Sequence, residues 1–257
     1  MTEELIVYEQ PVSELVRVCL RLEYLFKQLD NSLQLEASTS YTRNLVRILI
    51  EIVIILDRPD LKSKLTQEFH RLIKVISSLQ AIVSVNKETV ASTLAELNKL
   101  LNYFVNTKGK IAQALRDNEF IASIRLPLTT PGGDCSFDAP AFYYWQEQSI
   151  NIRLANINAW LKHLDEIRLA VDLFLKIIRE SAEPRKIVAE NGYYHDILNT
   201  QPASQLICIG LAKKIEVYPE ASVGKHRMNI RFLHPSIDQR PTQTEKSVDF
   251  LLTVCNI

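Results

Sequence analysis

The residues that could do chemistry in this sequence are four cysteines, five histidines and a row of basic residues near the C-terminus. The histidines and cysteines lack the spacings of zinc ligands, and no P-loop or G-x-G-x-x-G turn occurs. Cys135 could act as a nucleophile if His163 lay beside it as a base. The favoured interpretation is a tight turn at Gly132-Gly133, in which Cys135 is a small buried residue. We therefore expect a protein that is not an enzyme and needs no metal or cofactor.

A row of cations follows one side of a predicted strand near the C-terminus. Lys225, Arg227 and Arg231 occupy alternate positions, so their side chains point to the same face of a sheet. Arg227 and Arg231 would then lie about 13 Å apart, at ~3.3 Å per residue. Such a row suits a peptide that carries carboxylates. The alternative is a solvated face whose arginines pair across strands with Asp249 or Glu216.

The elements that must position these residues change in character along the chain. Apolar residues recur at spacings of three and four through residues 11–180, which predicts a succession of amphipathic helices. Pro and Gly residues between 126 and 133 predict a loop. Five predicted helices begin at Pro11, at residue 42, near Pro59, after an N-cap at Asn86 and at Asp138. A shorter helix is predicted over 109–124, with an interruption near Asp117-Asn118, and a single long helix over 149–181.

Helical spacing ends after Glu183-Pro184. Alternating and apolar runs between Pro and Gly residues predict strands over 205–211, 214–218, 225–233 and 247–255. The apolar side of the third strand, with Met228, Ile230 and Phe232, is expected to pack against the helices. Sequential strands joined by short loops predict an antiparallel sheet. The fold class is therefore α+β, with a helical domain over 1–183 and a mainly antiparallel β domain over 184–257.

The charge balance limits the classes of partner. The 257 residues include 30 Lys plus Arg and 30 Asp plus Glu, whereas a dedicated nucleic-acid-binding protein typically has a strong basic excess. A neutral total charge does not exclude a local basic patch. The alternative hypothesis is therefore a nucleic-acid-binding regulatory protein that uses the basic strand face and the aromatic run Phe142-Tyr143-Tyr144-Trp145, whose rings could stack on bases. Packing in the core and at its rim is the favoured interpretation of that run.

The sequence predicts a cytoplasmic protein without integral membrane association. Its N-terminus is acidic where a secretory leader would be basic, and its cysteines form no C-x-x-C pair, which suits reduced thiols. The most apolar stretch, over 45–56, contains Arg47 and Glu51. It is also shorter than the ~20 apolar residues that a membrane-spanning helix needs.

Four groups of residues, in order along nearly the whole chain, resemble the signatures of the ZapD family. The run Pro131-Gly132-Gly133-Asp134-Cys135-Ser136-Phe137-Asp138-Ala139-Pro140 resembles that family's P-G-G-x-C-S-F-D-x-P. Three further groups resemble other motifs of the family. The first is Tyr8-Glu9-Gln10-Pro11 with Leu20-Arg21-Leu22-Glu23-Tyr24-Leu25. The second is Ile178-Arg179-Glu180-Ser181-Ala182 with Arg185-Lys186 and Asn191-Gly192-Tyr193-Tyr194, and the third is Ile230-Arg231-Phe232. Each match is weak alone, and together they are specific.

This resemblance implies a helical domain, a β domain and a homodimer that binds the C-terminal peptide of FtsZ, the filament-forming protein of bacterial division. In that picture the dimer cross-links and bundles FtsZ filaments and stabilises the division ring at midcell, without catalysis. The helix over 149–181 and the first helix are the two candidates for the dimer interface.

The resemblance also implies a basic peptide pocket between the helical and β parts. The predicted binding residues are Arg21, Arg116, Arg125, Lys225, Arg227 and Arg231. Two positions depart from the family pattern: Glu119 stands where a basic residue can occur, and Tyr143 where a histidine can occur. A carboxylate at 119 is expected to reduce the positive potential at the edge of the pocket.

Overall fold

The computed structural model describes residues 4–33, 39–79, 86–198, 201–224 and 226–257, without the side chains of Thr39 and Leu79. Lys225, one of the predicted binding residues, lies outside the described residues.

Helices occupy most of the described chain up to Arg179. Their bounds are α1 (Glu14–Leu33), α2 (Thr39–Leu56), α3 (Leu61–Leu79), α4 (Lys87–Asn106), α5 (Gln113–Arg116), α6 (Glu119–Thr129), α7 (Pro140–Gln146), α8 (Ile150–Leu161) and α9 (Asp165–Arg179), with a 3-10 turn at Lys162–Leu164. None of the helices in this described part of the chain is both long and apolar enough to cross a membrane.

The helical core is centred on α2, which is apolar on most of its sides. Leu45, Leu49, Ile52 and Leu56 along this helix are buried almost completely. α2 contacts α6, α7 and α8, while α3 packs against α4. Burying each of these aliphatic side chains stabilises the fold by roughly 1.5–3 kcal/mol.

The strands form two antiparallel sheets, so the predicted α+β class is confirmed. One sheet has the order β1-β4-β8-β2, and the other has the order β3-β6-β5, with the short β7 also paired to β6. The bounds are β1 (Leu5–Pro11), β2 (Arg185–Ala189), β3 (Tyr193–Ile197), β4 (Ser204–Ala212), β5 (Tyr218–Val223), β6 (Arg227–His234), β7 (Thr242–Gln243) and β8 (Val248–Asn256).

The two sheets share one apolar core. Phe232 on β6 packs against Phe250 on β8, with ring centroids 5.1 Å apart. The prediction that the inner side of this strand packs against helices is therefore wrong, because a second sheet covers it. The buried members of this core are Ala189, Leu198, Ile207, Ile209, Leu211, Met228, Ile230, Phe232, Val248, Phe250 and Leu252.

Two of the predicted strands are close to β6 and β8, and a third lies within β4. The strand predicted over 214–218 is wrong: β4 ends at Ala212, a turn follows in which the Ile215 N–H donates to the Ala212 carbonyl, and β5 begins only at Tyr218. β1, β2 and β3 were not predicted. β1 forms by pairing with β4, which lies about two hundred residues later in the chain, as in the register Tyr8↔Ile209.

Two helix predictions also need correction. Pro11 does not begin α1 but ends β1, an edge strand in which a proline is tolerated because one row of N–H groups stays unpaired. The long helix predicted over 149–181 is divided by the 3-10 turn into α8 and α9. The predicted interruption near Asp117-Asn118 is confirmed, since the Asn118 side chain caps α6.

The described residues gather into two compact units. One contains the residues within Met1–Arg17 and Phe174–Ile257, and the other those within Val18–Leu173. We call them the sheet unit and the helical unit. The chain passes between them within α1 and again within α9. The predicted domains, 1–183 and 184–257, are segments of the chain expected to fold separately. That is a different claim from the division into these two units, and it stays a prediction.

Candidate functional site: two groups of basic residues

The outer face of the β3-β6-β5 sheet carries two of the predicted arginines. Arg227 and Arg231 are both exposed on β6, where Met228, Ile230 and Phe232 alternate with them and are fully buried. The alternation inferred from the sequence is therefore confirmed. Residues directly opposite in an antiparallel pair share a face, so the register identifies the other members of the set. We define the outer β6 face as Tyr193, His195, Ile197, Glu220, Ser222, Arg227, Asn229 and Arg231.

The two arginines on this face differ in their partners. Arg231 Nη2 lies 2.5 Å from Oε2 of Glu220, the residue directly opposite on β5. The Arg227 side chain makes no ion pair or hydrogen bond with any residue that the structure describes. The cross-strand partners suggested by the sequence, Asp249 and Glu216, are wrong for Arg231, because β5 rather than the 214–218 segment pairs with β6.

Aromatic and apolar side chains on β3 complete this face. Tyr193 and His195 stack with ring centroids 5.8 Å apart, and the Tyr193 hydroxyl donates to Asn229 Oδ1 at 2.9 Å. Ile197 is 77 % exposed. Tyr193 was expected from the sequence only as part of a family motif, and His195 and Ile197 were not expected at a site, although the Asn191-Gly192 turn before them is a typical hairpin signal.

The other basic group lies in the helical unit around Asp57, which follows the end of α2. Arg125 Nη2 lies 2.6 Å from Asp57 Oδ2, Lys110 Nζ lies 3.6 Å from Oδ1, and Arg116 pairs with Oδ1 as well. We call these four residues the Asp57 cluster. Three cations around one carboxylate leave two positive charges in excess.

Arg116 is the least exposed cation of the Asp57 cluster, with 13 % of its side chain accessible. Its Nη1 atom is buried without a hydrogen-bond partner among the described residues. Burial lowers the pKa of the Arg116 guanidinium, and the neighbouring charge of Arg125 acts in the same direction. The structure thus brings Arg116 and Arg125 together on an internal carboxylate, which the sequence did not indicate.

The remaining predicted positions lie in the helical unit. Arg21 is exposed on α1, and its side chain has no partner among the described residues. Glu119 is exposed in the first turn of α6, where the positive end of the helix dipole stabilises a carboxylate. Tyr143 is half exposed on α7, between the buried Phe142 and the exposed Tyr144.

The Gly-Gly loop before α7 has backbone requirements that favour glycine. Gly132 has φ +73°, in the left-handed region that most other residues disfavour. A Cβ on Gly133 would lie 2.3 Å from the Pro127 carbonyl oxygen, closer than any contact allows. The sequence prediction of a tight turn at these glycines is therefore confirmed.

The same loop is tied to α2 by Asp134. This buried carboxylate accepts hydrogen bonds from Arg43 and Arg47, the latter at 3.0 Å. Burial alone would raise the pKa of Asp134, but the two guanidinium groups outweigh it and lower the pKa below its usual value. Cys135 is only partly buried, so the prediction that it is a buried residue is wrong. Its thiol donates to the Asp138 carboxylate at 3.4 Å. The loop therefore has a structural explanation that needs no nucleophile.

Comparison with known proteins identifies the relatives of this chain. The sequence profile of the ZapD family, described as a cell division protein, matches residues 20–231. The cell division protein ZapD of Coxiella burnetii (strain RSA 331 / Henzerling II) is 34 % identical over 259 residues, covering 100 % of both chains. Those of Cupriavidus metallidurans and of Azoarcus sp. (strain BH72) are each 32 % identical over 253 residues, covering 98 % of this chain and 100 % of the relative.

Proposed function

The chain belongs to the ZapD family of cell division proteins, and we propose that it acts in division by binding the C-terminal peptide of FtsZ. The proposed action is non-enzymatic: the protein cross-links and bundles FtsZ filaments and stabilises the division ring at midcell, in the cytoplasm. The observation that carries this proposal is the outer β6 face, an exposed surface on which two arginines stand beside stacked rings and an apolar side chain.

The chemistry of this face suits a peptide with both carboxylates and apolar side chains. Arg227 has no internal partner among the described residues, so a peptide carboxylate can pair with it without displacing another group. The Tyr193 and His195 rings offer apolar area with little loss of rotamer freedom. Salt links that stay partly solvated contribute mainly specificity and speed of association. The apolar contacts are then needed for affinity.

The helical unit is proposed to contribute cations as well. The cations of the Asp57 cluster outnumber its carboxylate by two, an excess that Asp117 partly offsets at Arg116, and Arg21 is exposed without a described partner. An excess charge of this kind attracts an acidic partner over about one Debye length, roughly 8 Å at physiological salt. Arg116 and Arg125 are weaker candidates for direct contact than Arg227, because Asp57 already holds both.

Bundling requires more than one peptide site on a particle, so we propose that the protein is a homodimer. Two linked sites raise apparent binding to a polymer by roughly 10²–10⁴ without any new contact. The proposed interfaces remain the α8–α9 region, where Ile152 and Leu169 are exposed, and α1, where Tyr24 is exposed. A twofold axis would bring one such patch against its own copy.

The test is co-sedimentation of the protein with polymerised FtsZ, compared with FtsZ that lacks its C-terminal peptide. We expect the protein to pellet with intact FtsZ and to stay in solution with the truncated polymer. Equal pelleting with both polymers would overturn the peptide as the binding site. The mass of the protein in solution, measured at the same concentration, tests the dimer: a strictly monomeric protein that bundles filaments would require two different FtsZ sites on one chain.

A further inference from the structure

We propose that Glu220 is an internal competitor on the outer β6 face, which a peptide carboxylate must replace on Arg231. This inference rests on the proposed function, because it concerns how the same face selects its ligand. It assigns unequal tasks to two arginines that look equivalent in the sequence: Arg227 is open to a carboxylate, whereas Arg231 is already occupied.

The geometry of the pair favours exchange. Glu220 and Arg231 are directly opposite in the β5–β6 ladder, with Oε2 and Nη2 2.5 Å apart. Their side chains are 54 % and 55 % exposed, so both groups are largely hydrated in the closed pair and water readily reaches them when the pair opens. Exposed ion pairs of this kind are weak and reversible. A second carboxylate can therefore take the place of Glu220 at small cost.

The Asp57 cluster provides the opposite case in the same chain. Asp57 is shared by three cations, one of them largely buried, so an incoming carboxylate would have to break three contacts at once before it could take the place of Asp57. Displacing Asp57 would leave its own charge half buried and unpaired. Of these two basic groups, the one suited to exchange is therefore the Glu220–Arg231 pair, where one donor meets one acceptor.

This arrangement predicts how the outer β6 face distinguishes between peptides with one and with two carboxylates. A peptide with one carboxylate satisfies Arg227 and leaves the Glu220–Arg231 pair closed. A peptide with two carboxylates spaced to match arginines that lie four residues apart on β6, about 13 Å, also reaches Arg231 and expels Glu220. The cost of opening the pair reduces affinity for the second type by about two- to five-fold, the factor that corresponds to a typical exposed ion pair.

A double-mutant cycle on peptide binding tests this inference. The variants are Glu220→Gln, Arg231→Gln and their combination, titrated with the FtsZ C-terminal peptide and, in parallel, with hexaglutamate. We expect Glu220→Gln to bind either peptide about two- to five-fold more tightly than the wild type and to have no such effect when Arg231 is already Gln. The matched control is Glu216→Gln, which removes the same charge from an exposed site outside the outer β6 face.

The outcomes separate this inference from the proposed function. If hexaglutamate binds the wild type but Glu220→Gln binds it no tighter than Glu216→Gln does, the competitor role is overturned, and the function stands as long as the FtsZ peptide binds. An equal gain in the Arg231→Gln background overturns it too, because the gain would then be a general charge effect. If hexaglutamate shows the expected cycle and the FtsZ peptide does not bind, the competitor role stands and the proposed partner is wrong. Failure of both peptides to bind overturns both.

Discussion

The Asp57 cluster and the outer β6 face each contain two arginines and a carboxylate, and they differ in how far those charges are buried. In the cluster, Arg116 is mostly buried and three cations share one carboxylate. On the sheet face, Arg227 has no described partner and Arg231 has a single exposed one. A half-buried charge is held by its internal partner because the alternative is an unpaired charge away from water. An exposed charge can exchange water or a weak partner for a ligand.

Basic residues in a sequence therefore do not define a binding surface until their burial and internal partners are known. Charge changes in the Asp57 cluster are expected to alter mainly the free energy of unfolding. Charge changes on the outer β6 face are expected to alter mainly affinity for the peptide.

The largest effect is expected from reversing both charges on the outer β6 face. The double variant Arg227→Glu, Arg231→Glu should lose about 100-fold in affinity for the FtsZ peptide, or about 2.7 kcal/mol, because attraction becomes repulsion at both ends of the site. Its unfolding free energy should fall by no more than about 1 kcal/mol, because both sites are exposed, although the change at 231 sets two carboxylates directly opposite each other. Fluorescence titration and urea denaturation measure the two quantities.

The matched control for that variant is Arg240→Glu, Lys246→Glu, which reverses two exposed charges of the sheet unit outside the outer β6 face. It should keep most of the peptide affinity. Comparable losses in the two double variants would mean that net charge, and not this face, controls binding.

Removing the carboxylate of the Asp57 cluster should act on stability instead. Asp57→Asn leaves Lys110, Arg116 and Arg125 facing one another, with Arg116 mostly buried, and we expect it to lower the unfolding free energy by about 2 kcal/mol. Glu220→Gln, which opens an exposed pair, should cost under ~1 kcal/mol. Urea denaturation of both variants provides the test; equal costs would remove the distinction between the two regions.

Acid should weaken the helical unit through Asp134, another carboxylate shared by arginines. The pKa of Asp134 is lowered in the fold, so its contribution to stability is fully present above its unfolded pKa of ~3.9 and is lost as pH falls through the lower folded value. Below about pH 4, the wild type should therefore lose stability more steeply than Asp134→Asn. Parallel slopes in denaturation curves measured from pH 5 to pH 2 would show that the Arg43 and Arg47 contacts contribute nothing.

A change of salt concentration is expected to have the smallest effect, and to act more on peptide affinity than on the stability of the Asp57 cluster. Raising salt from 0.1 M to 1 M shortens the Debye length from about 10 Å to about 3 Å. Peptide affinity at the exposed face should fall about threefold, whereas the unfolding cost of Asp57→Asn should change less, because half-buried pairs are screened less. A flat salt response of peptide binding would identify an apolar site around Tyr193 and Ile197 instead.

The sequence alone determined the fold class, the order of most helices and the alternation on β6, because each depends on local periodicity. Met228, Ile230 and Phe232 alternate with Arg227, Asn229 and Arg231, and a pleated strand separates the two sets whatever covers them. Asn118 could be expected to interrupt a helix because its side chain competes for backbone N–H groups.

What surrounds those elements depends on contacts between distant segments of the folded chain. β1 exists because it pairs with β4, and no local pattern near Tyr8 encodes a partner so distant in the chain. Likewise, an arginine's neighbours along the chain say nothing about the carboxylate that folding brings to it. Asp57 reaches Arg116 through packing of separate helices, and Glu220 reaches Arg231 through strand register. Burial and pairing are properties of contacts between distant segments, so they emerge only when the chain folds.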